Sequence, residues 1–387
     1  MKRHRRRGVA ARGLWVACAL VLAGCGATGP TAGPSPSPTP ASAMAAAPMP
    51  TPGPTRSPSP TPQPTSTPDP LVASLYTGLP VTPSVAARPP IAVMIDDHPD
   101  ARPQSGLSLA SIVWQAPAEG GIPRYLAIFA DQDAASLGPV RSARPYFIAW
   151  AAEWRALYVH VGASTEAASM LLTYGNGSYV VDADEYRWGG PAGYLWRTTD
   201  RAAPHNVYSS TPKLLALAAR LGAKPATSGA WTFGPPGPLS GRPVGATISL
   251  QYPTTSVGYT YDRLSNTWLR SEGGVPSVDH LNRRRIAPTN VVVLTVQFGL
   301  LNDGSGKGRL EANMIGSGPA LVATGGLIRQ ATWEKASVTA PTLLFDASGN
   351  PVTLTAGQTF VEVVEPSMPL VAQGGSMPPG GGPGLPQ

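Results

Sequence analysis

Cysteine is scarce in this chain. Of 387 residues only Cys18 and Cys25 carry a thiol, so everything downstream can form no disulfide, no Cys-ligated zinc centre and no thiol nucleophile. Long apolar runs are missing too. The best stretch, Gly13 to Ala23, falls well short of the roughly 20 residues a bilayer span needs. There is no Gly-x-Ser-x-Gly nucleophile elbow, because Gly162-Ala-Ser-Thr-Glu166 departs from it, and no repeat of fixed period. A basic body is also absent. The formal net charge is +7, from 29 Lys and Arg against 22 Asp and Glu. Six of those basic residues (Lys2, Arg3, Arg5, Arg6, Arg7 and Arg12) precede Cys25 with no acidic residue among them, which leaves 23 against 22 for the remainder. The basic face that nucleic-acid binding needs is therefore lacking, and no nucleic-acid partner is expected.

What is present begins with a leader. A basic head, a short apolar middle and Leu22-Ala23-Gly24-Cys25 follow the order of a bacterial lipoprotein signal peptide. Residues 1–24 are expected to be removed and Cys25 to be acylated, palmitate included, holding the body extracytoplasmically on the cell membrane. Fifteen prolines then fall between Pro30 and Pro70, and Arg56 and Asp69 are the only charges before Arg88. Such a segment cannot bury enough apolar surface to fold. Residues 25–87 are expected to form a disordered Pro/Ser/Thr-rich linker, whose low-complexity part, Gly26 to Pro70, could reach on the order of 140 Å at about 3.1 Å per residue. A Gly/Pro-rich tail, 371–387, is expected to be disordered as well.

Between these ends the pattern predicts an α+β chain: a mixed α/β sandwich over residues 88–228 followed by a β-rich domain over 243–366. Ile91–Ile95, Ile112–Ala116, Tyr125–Phe129 and Leu157–Val161 read as short buried strands. Pro145–Arg155, Thr165–Tyr174 and Pro212–Leu221 have helical composition, with Pro at a first-turn position in two of them. Gly234-Pro-Pro-Gly-Pro238 punctuates the boundary. Beyond it, the alternating Val257–Asp262 and Thr267–Arg270 read as a hairpin, followed by strands at Asn290–Phe298, Ala320–Thr324, Gly326–Lys335, Thr342–Phe345 and Thr359–Val364.

Chemistry-bearing residues gather in the first region. Arg141 and Arg144, three apart on a loop that enters a helix, suit bidentate grip of one anion. Ser164, at the start of the Thr165 helix, offers backbone N–H groups and a favourable dipole, and Arg124 lies near a diglycine. The alternative is that Ser164 caps its helix and the arginines pair with Asp96, Asp131 or Glu119. Asp96, Asp97, His98 and Glu119 are hard-oxygen and imidazole donors, but their spacing is no metal signature and no metal or cofactor is assigned. Adjacent Asp96 and Asp97 on a strand end face opposite ways. For catalysis the candidates are Asp96, His98, Glu119, His160 and His205, with Ser142 or Ser164 as nucleophile. His160, within an apolar strand, reads as a hydrogen-bonded core or sheet histidine before it reads as a base. Tyr186–Arg197, rich in aromatics, fits a sugar-stacking or protein-contacting loop or one tucked onto the core. Arg283-Arg284-Arg285 is a short solvated charge run.

Several of these stretches carry a resemblance: Tyr76-Thr-Gly78, Met94 to Pro99, Gly138-Pro-Val-Arg-Ser-Ala-Arg-Pro145, Tyr261-Asp262, Asn290 to Val293, and Gly326 with Ala331 to Lys335. The chain resembles the YerB-like family of bacterial lipoproteins from Tyr76 to about Val364. The resemblance implies a mixed α/β first domain, a β-rich second domain, membrane anchoring, and domains of no established activity. It departs from the pattern at Asp97, where Asn is expected, and at Pro123, where Thr is expected. The expected function is a membrane-anchored binding or scaffold module for an anionic or glycan envelope component or an envelope protein partner. The alternative is an extracytoplasmic hydrolase or transferase using the Asp/His/Glu cluster.

Overall fold

Strand alternation builds the centre of the molecule. In β1 (Ile91–Asp96) Ala92 and Met94 enter one hydrophobic cluster while Ile91, Val93 and Ile95 enter another, so both faces of the strand are buried, and its sequence is accordingly apolar throughout. The same holds for β2 (Ile112–Pro117) and β3 (Pro123–Phe129). In the computed structural model, which describes residue 53 and residues 70–377, these three strands lie within a ten-stranded mixed sheet. Its other members are β4 (Leu157–His160), β5 (Val181–Asp184), β9 (Asn290–Thr295), β10 (Gly316–Thr324), β11 (Leu327–Lys335), β12 (Leu343–Asp346) and β13 (Thr359–Val364). The order is β12-β11-β10-β9-β13-β2-β3-β1-β4-β5. The intervening strands β6 (Thr247–Gln251), β7 (Ser256–Asp262) and β8 (Thr267–Glu272) join β14 (Leu370–Gln373) and the two-residue strand Val275–Pro276 in a five-stranded antiparallel sheet.

The observed class is α+β, with helices confined to the first part and strands dominating the second. The two parts share the large sheet. β13 pairs in parallel with β2, Thr359 opposite Ile112, and the segment Thr232–Gly234, just before the Pro-Gly run, pairs in parallel with Thr353–Thr355.

Helices cover the faces. α1 (Pro145–Ala152) takes Pro145 at its first position, where the missing N–H and fixed φ are harmless. Its Tyr146, Phe147 and Trp150 pack on one face of the sheet, with Trp150 stacked on Trp114 at 4.8 Å and 12°. α3 (Thr211–Leu221) covers the other face through Leu214 and Leu217 and ends on left-handed Gly222. The five-stranded sheet packs a third cluster, Ile248, Leu250, Tyr252, Val257, Tyr259 and Trp268, against Val291 and Val293 of β9.

Both ends of the folded part extend further than the sequence suggests. Tyr76, inside the expected linker, is buried with its ring 4.9 Å from that of Trp154. Ser74 and Thr77 donate to Asp131 at 2.7 and 2.6 Å. An isolated Tyr among small residues carries no periodicity, which is why pattern reading assigns it to the linker. At the other end β14 occupies the start of the expected tail. The leader, Cys25, most of the linker and residues 378–387 lie outside the described residues. Among the described residues no helix is long and apolar enough to cross a membrane.

Candidate functional site

The site lies at the carboxyl ends of the parallel neighbours β1 and β4, the edge where open α/β sheets place ligands. β3 begins at this edge because it runs antiparallel to β1, and β2 ends there because it runs antiparallel to β3. The Gly138–Pro145 segment is laced between the strand ends. Asp96 N donates to Pro139 O and Arg141 N to Met94 O, both at 2.9 Å. Val140 N donates to Val207 O at 2.7 Å, and Ala143 N to Gly162 O at 3.0 Å. Main-chain pairing on three sides thus fixes where Arg141 and Arg144 emerge.

Asp96, 2% exposed, is the hub. Its Oδ2 lies 2.7 Å from His205 Nδ1 and 3.1 Å from Arg141 Nε, and its Oδ1 accepts the His98 backbone N–H at 3.1 Å. The His98 and His205 rings stack at 4.7 Å and 21°. Residues from the ends of β1, the laced loop and the segment before Val207 therefore converge on one carboxylate. Because an ionised carboxylate only accepts, His205 carries its proton on Nδ1 and presents the Nε2 lone pair.

Beside it sits a second ionic cluster. Glu119 holds Arg144 Nε through Oε1 and Arg124 Nη2 through Oε2 at 3.3 Å, and Arg124 also donates to Ser142 O at 3.1 Å. Burial opposes ionisation of Glu119, yet the hydrogen bond from Arg144 and the charge of Arg124 outweigh it and hold this carboxyl below its ordinary range. Arg124 is pushed down to about 10 by burial and then by the like charge of Arg144, with Arg141 adding to it and Glu119 opposing. Three guanidinium groups thus share two carboxylates, Asp96 and Glu119.

The remaining sequence candidates are placed elsewhere. His160 is 2% exposed and held at both nitrogens, Nδ1 by Gly162 O at 2.8 Å and Nε2 by Asp182 Oδ1 at 2.7 Å. Ser164 is buried and its Oγ accepts the Ala167 N–H at 3.2 Å, capping α2 (Thr165–Tyr174). The hard-ligand set Asp96, Asp97, His98 and Glu119 does not act together, since both oxygens of Glu119 are held by arginines and Asp97 points to the opposite side. In the aromatic segment, Trp188 is tucked in under Arg187 and Arg220 at 5.1 and 5.4 Å, while Tyr186 remains 77% exposed. Arg285 of the basic run donates to Arg270 O at 2.9 Å.

Sequence reading missed a buried charge network behind the site. Asp97 accepts from Arg102 Nε and Gln104 Nε2, each at 2.9 Å, and from Gln115 Nε2 at 2.8 Å. Arg102 also pairs with Glu272 at 2.8 Å, and Arg270 reaches Glu272 at 3.0 Å and Gln115 Oε1 at 2.7 Å. Tyr252 and Tyr259 both donate to Glu362. A signal existed: Arg270 and Glu272 share the inward phase of Trp268 in β8, and Glu362 interrupts the apolar run of β13.

The comparisons with known proteins agree with this architecture. The family model described as "Protein of unknown function (DUF3048) N-terminal domain" matches residues 76–224, and its C-terminal counterpart matches residues 248–361. The chain is 30% identical over 270 residues to a Bacillus subtilis (strain 168) protein named "Putative lipoprotein YerB", covering 67% of this chain and 77% of that one. The crystal structure of the YerB protein from Bacillus subtilis superimposes with a TM-score of 0.68 at 28% identity, over 78% of this chain and 99% of that chain. Matching family models over both halves and a relative of this similarity and coverage establish that the chain belongs to the YerB-like DUF3048 family.

Proposed function

We propose that this protein is an extracytoplasmic binding module, anchored through an acylated Cys25, that takes an anionic cell-envelope component at the Arg141 face. The observation that carries the reading is the charge imbalance at the sheet edge: Arg124, Arg141 and Arg144 against Asp96 and Glu119. Arg124 and Arg144 are nearly closed off, while the Arg141 side chain is 25% exposed, so Arg141 makes the contact and the other two supply field. An anion docking there offsets the like charge of Arg144 and Arg141, which after burial depresses Arg124. The anchor is supported by the lipoprotein signal order around Cys25 and by the name of the Bacillus subtilis relative. The test uses the full-length protein with inorganic phosphate and with soluble fragments of an anionic wall polymer, measured calorimetrically at two salt concentrations. Arg141→Ala is expected to weaken binding at least tenfold and to flatten its salt dependence; equal binding by wild type and variant defeats the reading. In parallel, Cys25→Ser is expected to abolish incorporation of a labelled fatty acid.

A second reading, hydrolase or transferase, is favoured by one observation, the Asp96–His205 pair with its free Nε2, which has the form of a general base and its orienting carboxylate. Turnover of an ester or phosphoester probe that vanishes in His205→Gln would move the assignment to this class.

A further inference from the structure

We propose that His98, His205 and Asp100 form a binding site for a divalent transition metal of the zinc class, with Asp96 orienting it from behind. One donor atom from each of the three residues lies within 4.8 Å of the other two. Their origins are independent: His98 and Asp100 follow the end of β1, and His205 arrives from a loop more than a hundred residues later.

The donors are also in the right chemical state. His205 Nδ1–H donates a hydrogen bond to Asp96 Oδ2 at 2.7 Å, leaving the Nε2 lone pair for a metal. This carboxylate–imidazole arrangement is the one that fixes the tautomer of metal-ligating histidines and raises their basicity. His98 Nδ1 accepts the Asp100 N–H at 3.2 Å, so its lone pair too is unprotonated, and that long hydrogen bond is easily exchanged for a metal bond. Asp100 Oδ2 stands 3.6 Å from His98 Nδ1. With metal–ligand bonds of about 2.0–2.1 Å, the edge of a tetrahedron is about 3.3 Å, so this pair already approaches the spacing of two ligands on one ion. The His98 and Asp100 side chains are 35% and 75% exposed and free to close the remaining gap.

Two imidazoles and one carboxylate suit Zn, Co, Ni or Cu and disfavour Mg and Ca, which prefer all-oxygen sets. Three protein ligands leave a fourth position for water or for an oxygen of an incoming anion. The site stands on the geometry of these three donors and does not depend on the anion reading.

The experiment is titration of the full-length protein with Zn2+ by calorimetry, paired with the visible spectrum of the Co2+ form. One site per chain with tetrahedral nitrogen/oxygen absorption is expected. His98→Ala and His205→Ala should each weaken it at least tenfold and Asp96→Asn by about 10- to 100-fold, while His280→Ala, outside the cluster, leaves it unchanged. His98 is a surface residue, so its variant tests the site even where a change at buried Asp96 disturbs folding. Absence of Zn2+ binding, or affinity within twofold of wild type in the His98→Ala, His205→Ala double variant, overturns the proposal.

Discussion

Asp96 and His205 meet at 2.7 Å although 109 residues separate them. The contact depends on two features of the chain path. The first is β1 ending at the sheet edge, and the second is the main-chain pairing of Val140 with Val207, which brings the segment carrying His205 over that edge. Because Arg141 shares the same carboxylate oxygen, Asp96 couples the laced loop to the histidine segment.

Asp96→Ala is therefore expected to loosen both at once. It removes an acceptor from His205 and the counter-charge of Arg141, and leaves the His98 backbone N–H unpaired. With Arg141 partly solvated, a loss of about 2 kcal/mol is expected, read as a lower urea midpoint at unchanged slope. Arg141→Ala alone should lose less than half of that, since Asp96 keeps His205.

Glu119→Gln is expected to be the more damaging change. It leaves the Arg124 and Arg144 guanidinium groups, with side chains only 12% and 9% exposed, without their shared counter-charge, a loss of about 3 kcal/mol. The folded-state pKa of Glu119 is depressed, so its contribution is present above the ordinary value of 4.5 and lost as pH falls through the lower folded value. The gap between wild type and variant should thus be full at about pH 6 and should close on acidification, as measured by thermal melts across pH.

Gly138 controls the loop. Its φ is +145°, and a Cβ there would stand 2.8 Å from Val207 O and 2.9 Å from the Tyr208 ring. Gly138→Ala is expected to cost about 2 kcal/mol. It should also displace Arg141 and so weaken phosphate binding even in molecules that remain folded. Normal binding by a destabilised variant would show that the loop position does not set the site.

Much of this was legible in the sequence, for physical reasons. β1 to β4 and α1 to α3 were readable because each is an uninterrupted apolar or helical stretch between Gly/Pro punctuation. β5 was not, because Asp182 and Asp184 give an edge strand a polar face, and β14 was not, because it leads into the glycine-rich tail. Asp96, His98 and Glu119 could be named as chemical types at or just after strand ends, and Arg141, Arg144 and His205 as chemical types on loops. Their partners could not: pairing of Asp96 with His205, or of Arg270 with Gln115, is set by sheet order, which local pattern does not encode. Asp100 carries no distinguishing signal, because an exposed Asp after Pro reads as turn chemistry.

Asp97 provides the sharpest check on the buried network. Arg102 and Arg270 supply two positive charges to Asp97, Glu272 and Glu362, one carboxylate too many for the interior. Burial, followed by the charge of Glu272, raises the Asp97 pKa well above 3.8 against the pull of Arg102 and Arg270, so Asp97 holds its proton to higher pH than an ordinary aspartate. Glu272, whose charge acts on Asp97 and whose Oε1 also pairs with Arg102 Nη2 at 2.8 Å, is the group placed to receive it. A carboxyl with a raised folded pKa contributes stability that is complete below its unfolded value and is lost as pH rises through the folded one. The contribution of Asp97 to the wild type should therefore fall as pH climbs above about 4. Asp97→Asn can still donate to Glu272 but cannot accept from Gln115, which costs about 1 kcal/mol, and it does not titrate. The variant is expected to be the less stable protein at about pH 4 and at least the equal of wild type at about pH 8, a reversal that melts of the two proteins across that range would reveal. Parallel pH curves would instead mean that Asp97 is ionised and that the excess proton sits elsewhere, with Glu362, itself raised by burial, the next group to hold it.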